Sequence, residues 1–195
     1  NDLRMYDTYA DRWWSGEAAW LRTLHNMVPA RFAFFDPLVR DWSDKTVLDL
    51  GCGGGFMAEA LARRGARVTG LDPAGEALAA ARAHAERERL AIDYREGVGE
   101  NLPFADASFE IVVSCDALEH VQDIDAVLDE VARVLEPGGL FLFDTINKNP
   151  LASFVVVTMG ERILRLLPEG THDPELFIKP TELKRALAQI GRAHV

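Results

Sequence analysis

Val47-Leu48-Asp49-Leu50-Gly51-Cys52-Gly53-Gly54-Gly55 is a short apolar run that breaks into alternate glycines, and a second apolar stretch downstream ends on Asp72. The run suits a strand buried on both faces, and glycines at its end let backbone approach a ligand closely. An acid at the end of the neighbouring strand can accept two ribose hydroxyls. Together these features predict a nucleoside-cofactor site at a strand-to-helix turn. The plainer alternative is an ordinary turn that binds nothing, and the joint placement of Asp49 and Asp72 weighs against it.

Spacing separates two cofactor classes. A dinucleotide fingerprint puts its third glycine three positions after the second, whereas Gly51, Gly53 and Gly55 read G-x-G-x-G and Phe56 holds the dinucleotide position. Asp49, beside the loop, would repel a pyrophosphate and suits a cationic cofactor better. The pattern resembles motif I of class I S-adenosylmethionine (SAM) methyltransferases. That resemblance implies a loop of Gly51, Cys52 and Gly53 running under the amino-acid part of SAM, with Asp72 on its ribose.

Working outward, apolar runs alternate with helical patterns from Thr46 onward, which predicts a Rossmann-like, doubly wound α/β sheet. Strands are expected at Thr46–Leu50, Arg67–Leu71, Ala91–Arg95, Glu110–Cys115 and Gly139–Asp144. Helices are expected at Phe56–Arg64, Pro73–Arg89, Asp123–Leu135 and Thr181–Ile190, with Pro137-Gly138-Gly139 as the stop after the third. Residues 1–45 hold all four tryptophans (Trp13, Trp14, Trp20, Trp42) with Tyr6, Tyr9, Phe32, Phe34 and Phe35, and are read as a helical cap over the cofactor cleft of residues 46–195. Packing of these rings against the sheet edge is the alternative, and both can hold. A further strand starts at Gly191-Arg192-Ala193-His194-Val195, so the last strands of the sheet are expected to be missing from this sequence.

With 195 residues, 48% of them hydrophobic, the chain can bury one substantial core. A net charge of -10 and no Lys/Arg cluster exclude a nucleic-acid partner. Cys52 and Cys115 form no CxxC or zinc pattern and read as free thiols in a reducing, cytoplasmic setting. No stretch approaches the roughly 20 apolar residues of a membrane span. The most apolar segment outside the sheet, Leu151–Leu167, has the length of an interfacial or pocket-lining helix, with packing on its own domain as the alternative.

In open α/β sheets ligands sit beyond the carboxyl ends of the strands, so Asp49 to Gly55, Asp72, Val98-Gly99 and Cys115-Asp116 should converge. Asp116, Glu119 and His120 stand at i, i+3 and i+4 and would share one face of a helix. Carboxylate, carboxylate and imidazole suit a divalent ion such as Mg, and His120 alone suits a general base near neutral pH. A helix-capping acid beside a base or pocket wall is the simpler reading.

Over nearly its whole length the chain resembles the demethylubiquinol 3-O-methyltransferase family of ubiquinone biosynthesis. Matching segments include Asp11-Arg12-Trp13-Trp14, the glycine loop, Val68-Thr69-Gly70-Leu71-Asp72, Leu118-Glu119-His120-Val121 and, most specifically, Leu167-Pro168-Glu169-Gly170-Thr171-His172-Asp173 and Phe177-Ile178-Lys179-Pro180. The resemblance implies that Arg31 meets the cofactor carboxylate, Gly51 the methionine portion, Asp72 the ribose, and Cys115 a backbone position beside the cofactor. It also places Asp116, Glu119 and His120 where family members carry a divalent ion. The chain departs from the family in three places. Asp116 replaces a usual Glu, Cys115 replaces a common Met, and Val98 stands where many class I enzymes keep an adenine-binding Asp. The implied activity is methyl transfer from SAM to a phenol or catechol hydroxyl, with His120 as base. The implied acceptor is a small molecule with a polyprenyl tail, received by Leu151–Leu167 or by the inner membrane face beneath it. A soluble metabolite as acceptor, and a noncatalytic SAM-binding or lipid-surface module, are the competing readings.

Overall fold

Five parallel strands, β1 (Thr46–Leu50), β2 (Arg67–Asp72), β3 (Ile92–Glu96), β4 (Phe109–Ser114) and β5 (Leu135–Phe143), form one sheet in the order β3-β2-β1-β4-β5. The computed structural model describes residues 8–163, 171 and 173–189. Before β1 lies α1 (Ala19–Val39), preceded by a 3-10 turn at Ala10–Arg12; α2 (Phe56–Arg63) and α3 (Gly75–Arg87) follow β1 and β2. A 3-10 turn at Leu118–His120 leads to α4 (Ile124–Val134). Beyond β5, the helical turn Pro150–Ser153 runs into a π-helix at Phe154–Ile163, and α5 (Pro180–Gln189) comes last.

Side chains alternate along a strand, so each strand of a doubly covered sheet feeds two cores. Val47, Ile111 and Val113 join Phe32, Leu61, Ala77 and Leu78 on the face covered by α1, α2 and α3. Leu48, Leu50 and Val112 join Leu128, Val131, Leu183 and Leu187 on the face covered by α4 and α5. The chain winds outward from β1 through β2 to β3, then returns to the other side of β1 with β4. That reversal between β1 and β4 opens a crevice at their carboxyl ends, and it is there that ligands bind in such sheets.

Two expectations need correction. Pro137-Gly138-Gly139 does not end the helix before a strand at Gly139; β5 begins at Leu135 and contains this tripeptide as a bulge. Leu135 pairs with Phe109, and the register resumes with Leu140 opposite Ile111, while Gly138 takes a left-handed φ of 83°. A proline without an N–H and a glycine free of a Cβ fit a bulged segment on an outer strand as well as a turn. The segment expected as one helix over 151–167 is instead a short turn and a π-helix, and Leu164 to Leu167 lie outside the described residues. Tyr6, His172 and the strand start at 191–195 also lie outside them.

Candidate active site

β1 delivers Asp49 to the crevice fully buried, at 1% exposure, because the strand is covered on both faces. Its Oδ2 has no hydrogen-bond partner. Burial pushes this carboxyl up to about 7, and the nearby Asp72 charge adds to the rise, while Arg31 and the Ala58 N–H work against it. Beyond Asp49 the glycine loop turns under backbone control: Gly53 has φ +49°, and its N–H donates to Asp72 Oδ2 at 2.8 Å. Asp72 Oδ1 accepts the Ala74 N–H at 2.8 Å. The carboxylate at the end of β2 is thereby aimed by the loop it faces.

The glycines serve the protein as much as a ligand. A Cβ at Gly53 or Gly54 would sit 2.7 or 2.1 Å from the Trp13 ring, which lies over the loop. The space opened by the missing side chains is filled by the N-terminal segment. Aromatic residues at positions 13 and 14 were the sequence signal for this packing, but nothing local aimed them at these glycines.

A cavity of about 670 Å³ extends from this loop. Every residue expected to hold the cofactor lines it, with Arg31 from α1, Asp49 from β1, Gly51 to Gly53 from the loop, Asp72 at the end of β2, Val98-Gly99 after β3 and Cys115 after β4. His120 lines it as well. Leu24, Met27, Ile146 and Val156 add an apolar wall, so the π-helix reaches the cavity through Val156. Such size and lining suit a small-molecule site with a few polar groups. Both cysteines on the wall are buried, and burial pushes their thiols up, so they stay neutral.

Arg31 is 8% exposed and held by two carboxylates. Its Nε donates to Asp144 Oδ2 at 2.5 Å, and its Nη2 donates to Asp116 Oδ2. Burial opposes the charge, but the Asp116 and Asp144 carboxylates together raise the guanidinium's proton affinity, so Arg31 stays charged. Nη1 takes part in neither ion pair, and the residue lines the cavity. Asp144, at the end of β5, carried no signal in the sequence beyond its position.

The three residues expected to hold a divalent ion do not converge. Strand β4 does not run into an α-helix: Asp116 takes a left-handed φ of 51° and turns to Arg31, with its N–H bonded to Asp144 Oδ1 at 2.8 Å. Glu119 is 1% exposed, accepts a hydrogen bond from Thr145 at 2.9 Å, and does not line the cavity, whereas His120 does. The i, i+3, i+4 spacing gathers side chains only within α-helix, and a three-residue 3-10 turn that starts after Asp116 spreads them apart. Among the described residues no group of three His, Cys, Asp or Glu side chains is placed to hold a metal ion. The residues present do not fit a divalent cation.

They do fit SAM. The unpartnered Asp49 oxygen, the paired Asp72 carboxylate and the spare Arg31 nitrogen offer an anion, a hydroxyl acceptor and a cation around one cavity.

Residues 48–143 match the methyltransferase domain family. The SAM-dependent methyltransferase of Mesorhizobium loti superposes with a TM-score of 0.64 at 26% identity, covering 84% of this chain and 79% of that one. The YcgJ protein of Bacillus subtilis superposes with a TM-score of 0.69 at 25% identity, covering 83% and 67%. The ubiquinone biosynthesis O-methyltransferase of Hahella chejuensis is 40% identical over 184 residues, 94% of this chain and 76% of its own length. That of Pseudomonas paraeruginosa is 41% identical over 186 residues, 93% and 78%. With that identity across nearly the whole sequence, and the fold and cofactor loop in place, this chain belongs to the family of ubiquinone biosynthesis O-methyltransferases.

Proposed function

We propose that this protein transfers the methyl group of SAM to a phenolic hydroxyl of a polyprenylated quinol precursor. The observation that carries the proposal is a single cavity in which the acid-flanked glycine loop, His120 and an apolar wall all meet. SAM, when bound, supplies a methyl group already activated on a sulfonium. What remains for the chain is to orient the acceptor oxygen, remove its proton and keep water out. Asp49 offers a counter-charge to the cofactor's cationic part, Asp72 accepts from ribose hydroxyls, and Arg31 Nη1 meets the carboxylate. Val98 and Gly99 leave adenine to apolar packing and backbone donors. His120 Nδ1 or Nε2 takes the phenol proton, since a phenol is largely protonated at neutral pH.

The apolar wall supports the polyprenyl part of the reading. Val156 faces the cavity while Leu151, Phe154, Val155 and Ile163 are more than half exposed around it. One segment thus offers a surface to the substrate and another to a lipid interface. None of the described helices is long and apolar enough to cross a membrane.

Mass spectrometry of a short-chain demethylated quinol incubated with the protein and labelled SAM tests the reading directly. Label on the phenolic oxygen is the expected result, and its absence with a tightly bound SAM would remove the acceptor assignment. His120→Ala is expected to lower turnover by about 10²-fold or more, the range of general-base catalysis, with SAM affinity unchanged. Undiminished turnover would dismiss His120 as the base.

A further inference from the structure

Trp14 does not line the cofactor cavity, yet it is bonded to the loop that does. Its indole Nε1–H donates to the Gly54 carbonyl at 2.9 Å, across 40 residues of sequence. On its other side the indole lies flat on the His84 imidazole, with ring centroids 3.6 Å apart and 3° between planes. The edge of Phe56, a cavity residue, packs against it at 4.7 Å. Behind the stack His84 Nδ1 lies 2.6 Å from Oε1 of Glu59, a carboxylate at 1% exposure. A buried carboxylate is costly to leave unpaired, and the pairing of Glu59 with the half-buried imidazole fixes the plane of the ring on which Trp14 rests.

The consequence falls on the Gly53-Gly54 segment, held at both of its ends. Gly53 gives its N–H to Asp72, and Gly54 gives its carbonyl to Trp14. The segment that faces the cofactor is therefore held from the cavity side by the ribose acid and from the lid side by the indole.

We propose that Trp14, held in plane by the Glu59–His84 pair, is a positioning residue for SAM. By pinning the Gly54 carbonyl it fastens the N-terminal lid to the glycine loop and slows cofactor release. This rests on the SAM reading above and adds to it residues that lie outside the cavity.

The test uses the intact chain, isothermal titration with SAM, stopped-flow dissociation, and turnover of a short-chain demethylated quinol at saturating SAM. Trp14→Phe keeps an aromatic ring on His84 and removes only the donor. It is expected to raise the SAM dissociation constant about three- to tenfold through faster release, the span of one hydrogen bond, with kcat within about twofold of wild type. Glu59→Ala is expected to follow Trp14→Phe, while Glu59→Gln, which still accepts from His84, stays near wild type. Trp42→Phe is the matched control. It also removes one indole hydrogen bond of the N-terminal segment, to Asp36 at 2.8 Å, but Trp42 does not line the cavity. It is expected to lower Tm and leave SAM affinity alone. An unchanged SAM dissociation constant in Trp14→Phe, or an equal rise in Trp42→Phe, overturns the proposal. Trp14→Phe decides the matter alone if Glu59→Ala does not fold. A wild-type chain that takes up no SAM would instead remove the cofactor reading itself.

Discussion

Asp49 carries a titration near neutral pH into the heart of the site. Its carboxyl is held up to about 7 by burial, so without ligand it is largely protonated below that pH. A cationic cofactor favours the ionised form, and binding therefore expels a proton. The sign follows by linkage: SAM affinity should be weak at low pH and strengthen as pH rises through about 7. Titration calorimetry between about pH 5.5 and 8.5 checks this, and the proton uptake or release shows up as a dependence on buffer ionisation enthalpy. Asp49→Asn should flatten the profile and bind more weakly at the alkaline end. Glu119 is also pushed up to about 7 by burial but lies outside the cavity, so a slope that survives Asp49→Asn would have to be assigned elsewhere. The acidity of Asp49 was readable from its place beside the glycines. Its missing partner was not, because that depends on what the neighbouring strands bring.

Elements form here where one local pattern agrees with burial. In α4, Val127, Leu128, Val131 and Val134 repeat on one face and are all at most 1% exposed, and Asp123 caps the start by accepting the Ala126 N–H at 3.1 Å. Leu128→Ala leaves a void under a sheet covered on that face and is expected to cost about 2–5 kcal/mol in urea unfolding. Leu151→Ala, at a side chain 70% exposed, is expected to change stability by no more than about 0.5 kcal/mol. Equal losses from the two would contradict the burial assigned to α4. Where local signals had two outcomes, the neighbours chose between them. Pro137-Gly138-Gly139 could stop a helix or bulge a strand, and pairing of Leu135 with Phe109 selected the bulge. Asp116 to His120 could open an α-helix, but Asp116 takes a left-handed φ of 51° where it meets Arg31, and only a 3-10 turn follows.

Across the whole molecule, exposed Leu151, Phe154 and Val155 stand on the segment that also borders the cavity. Sedimentation with zwitterionic phospholipid vesicles, which do not repel a chain of net charge -10, should carry the protein down, and Phe154→Ser with Val155→Ser should reduce that fraction while leaving SAM affinity intact. Equal sedimentation by both proteins would dismiss these side chains as the lipid contact. The order of strands and helices, the glycine loop, and both acids that flank it were already present in the amino-acid sequence. Strand periodicity, left-handed glycines and an acid after a strand are properties of a few adjacent residues. Folding alone decided which distant groups meet. Arg31 finds Asp116 85 positions away and Asp144 113 positions away, Trp14 finds Gly54, and the three side chains read as a metal set part company. Such pairings depend on the order in which parallel strands assemble and on the cost of leaving a buried charge alone, and neither is written in any one stretch of chain.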